Sequence, residues 1–385
     1  MRIAIVGCGF VADYYMRTLS NYPELEVAGV MDRNSEAANR LAAFYRVPVY
    51  ETIGELLGDR SVNIVLNLTN PRSHFDVSKA ILEAGKHVYS EKPVTMVFEE
   101  AEALVRLAES RGLHLISAPC SILGETAQTI WKALRNNVIG TVRLVYAELD
   151  GGLLHRKDYK EWKSDSGASW PYKDEFEVGC TMEHAGYYVT WLMAFFGPAT
   201  SVTSFASTRV PDKQTDVPLD IVTPDFSVAC IEFDSGVVAR LTCGIVAPRD
   251  HSLHIIGDEG VLETDEGWDY GSPVHITHRT TPARRGVRHR LMRKFLGGAG
   301  EEYPPVRKTD LHHRYRNSSH QMDQARGVAE LAGAISEKRP CRISTRFSLH
   351  CTEISLAIQY PRLMGCPRSL TTSFEPMDPM PWAKT

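Results

Sequence analysis

The sequence has no long hydrophobic run. Its longest largely apolar stretch beyond the N-terminus extends from Val189 to Phe196, whereas a membrane-spanning helix needs about 20 such residues. At the N-terminus, four apolar residues from Ile3 to Val6 are followed at once by Gly7, so the hydrophobic segment of a secretory signal is missing. We therefore expect a protein that is neither exported nor integral to a membrane.

Closely spaced cysteines are also missing. The sequence has eight cysteines without a C-x-x-C pair, at positions Cys8, Cys120, Cys180, Cys230, Cys243, Cys341, Cys351 and Cys366. This spacing favours neither a zinc site nor the disulfide framework of a secreted protein. We expect buried thiols in a reducing compartment, which predicts a cytoplasmic protein without a bound metal.

Neither sign of charge dominates. Lys and Arg total 43 against 47 for Asp and Glu, a formal net charge of -4, so nucleic acid is not an expected partner. The basic residues between 279 and 294 are most simply a solvated insertion. The alternative hypothesis is that they, or residues 312–316, bring cations to a neighbouring subunit's pocket for an anionic sugar.

Length and patterning predict two domains in the 385 residues. In residues 1–121, short β-branched runs alternate with helical spacing, which predicts an α/β domain with a doubly wound parallel sheet. In residues 122–385, strands follow one another with few helices between them, which predicts an α+β domain on a large, mainly antiparallel sheet. We expect helices near residues 323–337 and 347–358 to pack back on the first domain.

A dinucleotide-binding motif stands at the first strand-to-helix junction. Gly7 to Ala12 read G-x-G-x-x-A directly after the strand from Arg2 to Val6. In this context Gly7 permits a tight turn, Gly9 lets the backbone approach a pyrophosphate, and Ala12 lets the helix pack on the strand. The motif therefore predicts a Rossmann domain whose first helix begins at the phosphates.

An acidic residue supports this interpretation. Asp32 follows the next strand, 20 residues after Ala12, where a carboxylate can accept hydrogen bonds from the adenine ribose. It would repel a 2′-phosphate, so NAD is favoured over NADP. Arg33 leaves NADP as the alternative, because it could pair with that phosphate or lie over the adenine.

A further motif lies near residue 90. Gly85 to Val88 read Gly-Lys-His-Val, Glu91 to Pro93 read Glu-Lys-Pro, and Thr69 to Pro71 with His74 precede both. Together with the glycine motif, this stretch resembles the glucose-fructose oxidoreductase, inositol dehydrogenase and rhizopine catabolism family (Gfo/Idh/MocA). The resemblance covers nearly the whole chain, and fits least well at residues 151–177 and 268–315.

The resemblance implies that Lys92 reaches between nicotinamide and substrate, with a cis Lys92–Pro93 peptide. A lysine beside a cationic ring in a partly dry pocket loses its proton more readily and can assist proton transfer at a carbinol oxygen. The residues implied to bind the cofactor are Gly7, Gly9, Phe10, Val11, Ala12, Asp32, Arg33, Thr69, Asn70, Pro71, His74, Glu91 and Lys92.

A second constellation extends from Val178 to Tyr188. It overlays the family helix that carries an acid, a histidine four residues later and another acid three beyond that; here these positions are Glu183, Tyr187 and Thr190. Glu183 and Tyr187 would share one helix face, and a phenol can give its proton to a ketone. His184 is the alternative proton shuttle. In the purely structural alternative, Tyr187 and Tyr188 are aromatic residues of the core.

The loop around residues 154–174 combines aromatic and charged residues in a Gly/Ser/Pro-rich frame. Flat rings can cover the C–H face of a sugar while polar groups bind its hydroxyls. The residues expected to bind substrate are Lys92, His155, Arg156, Trp162, Trp170, Glu183, Tyr187 and Tyr188. An ordinary solvated surface loop is the alternative.

Three functions are compatible with these motifs. The first is an NAD-dependent oxidoreductase that transfers hydride between nicotinamide and a carbinol or ketone of a sugar, cyclitol or glycoside. The second is a glycoside-cleaving enzyme that oxidises a ring carbon transiently on bound NAD, and the third is a non-catalytic NAD sensor. The resemblance also implies a homodimer or homotetramer formed through the second domain's sheet.

Overall fold

The N-terminal part of the chain folds around a five-stranded parallel sheet in the computed structural model, which describes residues 1–279, 300–306 and 321–384. The strand order is β2-β1-β3-β4-β5, and every pairing is parallel. The strands are β1 (Arg2–Val6), β2 (Glu26–Met31), β3 (Ile64–Asn67), β4 (His87–Ser90) and β5 (Leu115–Ser117). The predicted α/β domain is confirmed.

Helices cover both faces of this sheet, because each places apolar residues on one side. They are α1 (Phe10–Leu19), α2 (Ser35–Tyr45), α3 (Ile53–Gly58), α4 (His74–Glu83) and α5 (Phe98–Ser110). Side-chain caps fix two helix starts: Asn34 accepts from the Glu36 amide at 3.0 Å, and Thr52 accepts from the Glu55 amide at 3.1 Å.

The turn after β1 requires glycine. Gly7 has φ +99°, and a Cβ there would lie 2.5 Å from the carbonyl carbon of Leu68. The turn therefore brings the end of β1 against the end of β3. The strand order changes direction between these two strands, and ligands of doubly wound sheets bind at such a point.

The second sheet has nine strands among the described residues, in the order β13-β12-β11-β10-β6-β9-β8-β7-β14. Its pairings are antiparallel except for β6 with β9, which run parallel, so the predicted mainly antiparallel sheet is confirmed. The strands are β6 (Val142–Asp150), β7 (Ala199–Ser207), β8 (Phe226–Phe233), β9 (Val238–Gly244), β10 (Leu253–Gly257), β11 (Gly260–Thr264), β12 (His275–His278), β13 (Glu301–Glu302) and β14 (Arg368–Ser369).

The α-helices after β5 in the described residues are α6 (Glu125–Arg135), α7 (Tyr172–Val178), α8 (Cys180–His184), α9 (Gly186–Phe196), α10 (Ala325–Glu337), α11 (Thr345–Gln359) and α12 (Pro361–Met364). Of these, α8, α11 and α12 pack against one face of the nine-stranded sheet. Helix α11 also reaches β5, where Ser348 accepts a hydrogen bond from the Ser117 amide at 3.1 Å. Helix α10 reaches α1, where Thr18 accepts from the Ala325 amide at 3.1 Å.

Two further expectations concern a membrane-spanning helix and the basic residues after position 279. In the part of the chain that the structure describes, no helix has both the length and the apolar character to cross a membrane. Most of the basic run after Arg279, and residues 312–316, lie outside the described residues. The domain boundary near residue 121 stays a prediction.

Candidate active site

A cavity of about 1180 Å³ opens at the carboxyl ends of β1 to β4. One end is lined by the turn after β1 and by Asp32, and the other by α7, α8 and α9. This volume exceeds the range of about 300–1,000 Å³ typical of small-molecule sites. The cavity therefore has room for a dinucleotide together with a small substrate.

The glycine turn has the shape that a pyrophosphate needs. Gly7, Gly9, Phe10 and Val11 line the cavity. A Cβ built on Gly9 would meet no protein atom within 4 Å, so the space beside its backbone belongs to the cavity. Gly9 also precedes α1 directly, and helix N-termini favour phosphate. The residues present thus fit a dinucleotide, while Ala12 is buried outside the lining.

Asp32 stands at the end of β2 and lines the same cavity. Its two oxygens accept hydrogen bonds from the backbone amides of Cys8, at 2.7 Å, and Asn34, at 2.8 Å. Each oxygen keeps a lone pair for a ribose hydroxyl. Arg33 is exposed beside it and also lines the cavity.

The Thr69 to Pro71 turn and Glu91 line the next part of the cavity. Glu91 accepts hydrogen bonds from the Tyr15 hydroxyl at 2.7 Å and the Lys92 amide at 3.0 Å. His74, expected to contact cofactor, lies outside the lining and is fully buried. Its ring nitrogens lie 2.6 Å and 3.0 Å from the carbonyls of Pro93 and Thr69. His74 therefore connects the loop after β4 with the loop after β3 on their buried side.

Lys92 and Glu183 form an ion pair across the cavity, with Glu183 almost fully buried. The Lys92–Pro93 peptide is cis, as the resemblance implied. Burial opposes the charge on Lys92, but the neighbouring acidic groups, Glu183 first among them, together outweigh it and raise the pKa of Lys92. In the protein without cofactor, Lys92 therefore keeps its proton more strongly than a free lysine does. This is the opposite of the expectation from the sequence that Lys92 loses its proton more readily.

Tyr187 lines the cavity near this ion pair. Burial raises the pKa of the Tyr187 phenol, while the charge of Lys92 acts in the opposite direction. Ala185, between α8 and α9, keeps helical dihedral angles (φ -53°, ψ -37°), and Glu183 and Tyr187 both line the cavity. Thr190 is buried beneath, and its hydroxyl donates to the Tyr187 carbonyl at 3.2 Å.

Sequence reasoning missed Glu175. This half-buried residue of α7 lines the cavity and forms a hydrogen bond with Glu183. Burial and the negative charge of Glu183 raise the pKa of Glu175 well above its ordinary value. Glu175 therefore holds its proton more strongly than an ordinary carboxyl group, while Glu183 pairs with Lys92.

Of the residues expected to bind substrate in the loop, the two tryptophans line the cavity. The rings of Trp162 and Trp170 lie 5.0 Å apart. His155 is buried and Arg156 exposed, and neither belongs to the lining. Tyr188 is buried behind the cavity wall, where its hydroxyl donates to the carbonyl of His251. This agrees with the alternative that Tyr188 is an aromatic residue of the core.

His184 lies on the same wall as Tyr187, and both rings pack against Trp268, at 5.4 and 4.9 Å between centroids. Trp268, His251 and Arg249 also line the cavity, and no motif in the sequence identifies them. Within the described ranges, no group of three His, Cys, Asp or Glu residues could hold a metal ion.

Two family models match this chain. The model described as "Oxidoreductase family, NAD-binding Rossmann fold" matches residues 1–118, and the "GFO/IDH/MocA C-terminal domain" matches residues 127–263. The chain belongs to the Gfo/Idh/MocA family. It is an NAD(P)-dependent oxidoreductase by this membership, as the resemblance implied.

Individual members of the Gfo/Idh/MocA family are similar over most of the chain. Trans-1,2-dihydrobenzene-1,2-diol dehydrogenase of Mus musculus is 24% identical over 271 residues, 70% of this chain and 75% of that protein. The structure of aldose-aldose oxidoreductase from Caulobacter crescentus gives a TM-score of 0.74 at 19% identity, covering 96% and 99% of the two chains. The WlbA dehydrogenase of Bordetella pertussis, solved with NADH and UDP-GlcNAcA, gives 0.70 at 17% identity, covering 96% and 98%.

Proposed function

We propose that the chain is an NAD-dependent dehydrogenase or ketoreductase that acts on a carbinol or ketone of a sugar, cyclitol or glycoside. One observation carries the proposal: the Lys92–Glu183 ion pair and the Tyr187 phenol line the same cavity as the Gly7–Gly9 turn. The names of similar proteins, which are dehydrogenases of a cyclic diol and of sugar nucleotides, support this substrate class.

The three side chains have distinct roles in the proposed reaction. A nicotinamide dinucleotide, when bound, supplies or accepts the hydride. The Lys92 ammonium and the Tyr187 phenol would donate hydrogen bonds to the reacting oxygen and stabilise its developing negative charge. Glu183 would hold Lys92 in place. Since both donors are protonated, the arrangement suits ketone reduction directly; oxidation requires the carbinol proton to pass to this cluster.

NAD is the proposed cofactor in preference to NADP. Asp32 presents a carboxylate at the end of β2, and backbone amides fix both of its oxygens. A 2′-phosphate beside it would be repelled. Arg33 supports the alternative, NADP, because its exposed guanidinium lines the same part of the cavity.

The proposal also covers the cellular compartment, the oligomeric state and the partners. We propose a cytoplasmic protein, because the eight thiols are all free. We also propose a homodimer or homotetramer formed through the nine-stranded sheet. No membrane or nucleic acid is proposed as a partner.

A substrate screen tests the function. Sugars, cyclitols and glycosides are first ranked by thermal shift of the NAD-loaded protein, because a ligand stabilises the state that it binds. Binders are then mixed with NAD, and NADH is followed by absorbance. Net NADH formation is expected. Cleavage of a glycoside with NAD fully regenerated would support the glycosidase instead, and binding without turnover would support a sensor.

Substitutions test the cluster. Lys92→Met and Tyr187→Phe should each lower turnover by about 10²- to 10⁴-fold, the usual contribution of a positioned acid or base. NAD affinity should stay nearly unchanged, since neither residue lies at the glycine turn. The double variant should lose far less than the product of the single effects, because both groups serve one oxygen.

His184→Ala is the matched comparison, because His184 lies on the same wall and packs on the same tryptophan. It should retain most of the turnover. If Tyr187→Phe keeps nearly normal turnover while His184→Ala abolishes it, Tyr187 is not the donor and His184 is the shuttle.

A further inference from the structure

Glu175 is an acidic residue of the cavity lining to which the proposed reaction gives no role. It lies half-buried on α7, and its carboxyl group forms a hydrogen bond with that of Glu183. Glu183 is paired in turn with Lys92, and all three side chains line the cavity. The three residues therefore form a continuous chain of polar groups, with Lys92 at one end and Glu175 at the other.

The turn between α7 and α8 brings the two glutamates together, although they are eight positions apart. Gly179 in this turn has φ +95°, and a Cβ there would lie 2.8 Å from the Nε2 of Gln359. The side-chain amide of Gln359 donates to the Val178 carbonyl at 2.7 Å and accepts from the Met182 amide at 3.1 Å. Because hydrogen bonds hold the turn on both sides of Gly179, the fold itself sets the contact between the two carboxyl groups.

This contact determines where a hydrogen must be. Two carboxylates can only accept, so a hydrogen bond between two carboxyl groups needs a hydrogen on one of them. The ammonium of Lys92 favours the ionised form of its partner Glu183, which places the hydrogen on Glu175. Burial and the charge of Glu183 raise the pKa of Glu175, in agreement with this placement. The chain of three residues therefore carries one proton in addition to those of the Lys92 ammonium.

The groups nearest to the proposed reacting oxygen are weak acids. Burial raises the pKa of the Tyr187 phenol, and acidic neighbours together raise the pKa of Lys92. The other ionisable groups that face Glu175 are Glu91 and Lys92 from the loop after β4 and Tyr187 from α9. A carboxyl group is ordinarily a far stronger acid than an ammonium or a phenol. Glu175 also lines the cavity, so solvent there can return a proton to it.

We propose that Glu175 is the proton source for ketone reduction and acts through Glu183 and Lys92. With hydride delivered to the carbonyl carbon, the oxygen takes a proton from the Lys92 ammonium as the C=O π bond breaks. Lys92 recovers a proton from Glu183, and Glu183 takes the hydrogen of Glu175. Glu175 is left as a carboxylate and takes a proton from solvent. Oxidation of a carbinol runs the same transfers in reverse.

Glu175 acts through two other residues and is therefore a relay residue, not a catalytic one. The inference rests on the proposed function, because the relay supplies the proton that the proposed reduction consumes. It adds to that function a defined source for the proton and a path of three side chains between the solvent and the reacting oxygen.

Substitution of Glu175 tests the relay in the full-length protein with NADH. 2-Hydroxycyclohexanone is the probe ketone, measured beside the ketone of the best substrate in the screen. Glu175→Gln can still donate a hydrogen bond to Glu183 but has no proton to give. We therefore expect kcat for reduction to fall about 10²-fold, the lower end of the usual contribution of a positioned acid or base. KM and the Kd of NADH should stay within about twofold.

The pH profile distinguishes a proton relay from a structural contact. In the unmutated protein, kcat for reduction should fall as pH rises through the pKa of Glu175, because only the protonated form gives a proton. The kcat for oxidation should rise through the same pH range. In Glu175→Gln both changes should move to higher pH, because Lys92 and Tyr187, whose pKa values are raised, are then the remaining acids. A profile that does not move would overturn the inference.

Two further variants separate the relay from damage to α7. Glu175→Ala opens space beside Glu183, and added formate should restore part of its kcat. Glu177→Gln is the control, because Glu177 is a buried acid of the same helix, lies outside the cavity and loses its ion pair with Arg72, at 2.6 Å. It should lower the melting temperature and leave kcat and its pH profile unchanged. Equal losses of kcat in Glu177→Gln and Glu175→Gln, or no rescue by formate, would contradict the relay.

Infrared spectroscopy gives a measurement that needs no turnover. Near neutral pH, the difference spectrum between the unmutated protein and Glu175→Gln should contain the C=O stretching band of a protonated carboxyl group. The corresponding spectrum for Glu177→Gln should lack it. Absence of the band for Glu175 would also overturn the inference. If the unmutated protein reduces no ketone and oxidises no carbinol, the proposed function fails, and the infrared result alone decides whether Glu175 holds the proton.

Discussion

At the scale of single residues, the candidate site depends on balanced charge. Lys92 is half-buried beside the carboxyl groups of Glu183 and Glu175, and the pKa of Glu175 is raised by burial and by the charge of Glu183. A lone buried ammonium would be costly. The pairing with Glu183 therefore explains how a cationic lysine is held in the cavity lining, where a free lysine would extend into solvent.

The site residues found from the sequence are those marked by other residues close to them in the chain. Lys92 is recognised through its neighbours Glu91 and Pro93, and Tyr187 through its spacing from Glu183. Trp268 packs on Tyr187, and His251 packs on Trp268, only through tertiary contacts, and nothing adjacent in sequence marks either residue. Such residues become visible when distant segments are brought together by the fold.

Cofactor preference is a prediction at this scale. Asp32→Ser should bring the Kd values for NAD and NADP closer together, because the repulsion of a 2′-phosphate and the ribose contacts are both weakened. Binding of both nucleotides is measured by fluorescence or calorimetry. Loss of the bonds from the Cys8 and Asn34 amides makes the melting temperature a necessary companion measurement.

The unmutated protein supplies the decisive comparison for Asp32. If it binds NADP as tightly as NAD or more tightly, Arg33 determines the preference. Arg33→Ala should then weaken NADP binding selectively.

At the scale of elements, strands were predicted more closely than connections. The strands that the sequence predicts in residues 122–385 include β8, where alternating burial leaves a period-two pattern. The parallel pairing of β6 with β9 was not predicted. It depends on which distant segment packs beside β6, and local sequence does not record that.

One connection ties the two parts of the chain together beside the cofactor end of the cavity. Residues 163–169, which we call the strap, are bound to α1 through Asp13. Asp13 accepts hydrogen bonds from the hydroxyls of Ser164, at 2.5 Å, and Ser166, at 2.7 Å, and from the Ser166 amide at 2.9 Å. Lys163 and Ser169, at the ends of the strap, line the cavity.

The strap should slow release of the nucleotide. Ser166→Ala removes one bond to Asp13, and Asp13→Asn weakens all of them, so NADH should dissociate about 2- to 10-fold faster in each variant. Stopped-flow fluorescence measures the rate. Arg17→Gln is the control: it removes only the exposed Arg17–Asp165 ion pair, at 3.1 Å, which contributes little. Equal release rates in all variants would contradict a role for the strap.

At the scale of the whole molecule, the nine-stranded sheet has one face without helices in the described part of the chain. Leu144 and Phe205 on this face are 38% and 56% exposed. Arg240 forms an ion pair with Glu148 and lies 4.4 Å from the ring of Tyr146. An apolar face with a few paired charges resembles an interface more than a free surface.

The last prediction is that this face joins copies of the chain. Light scattering at micromolar protein should report a multiple of 43.0 kDa, and Leu144→Lys should lower the mass toward one chain by placing an unpaired charge in the interface. Leu363→Lys is the matched control, because Leu363 is 81% exposed on α12, outside the sheet, and it should leave the mass unchanged. A 43 kDa species for the unmutated protein would show that the face is free in solution, and its exposed apolar side chains would then need another partner.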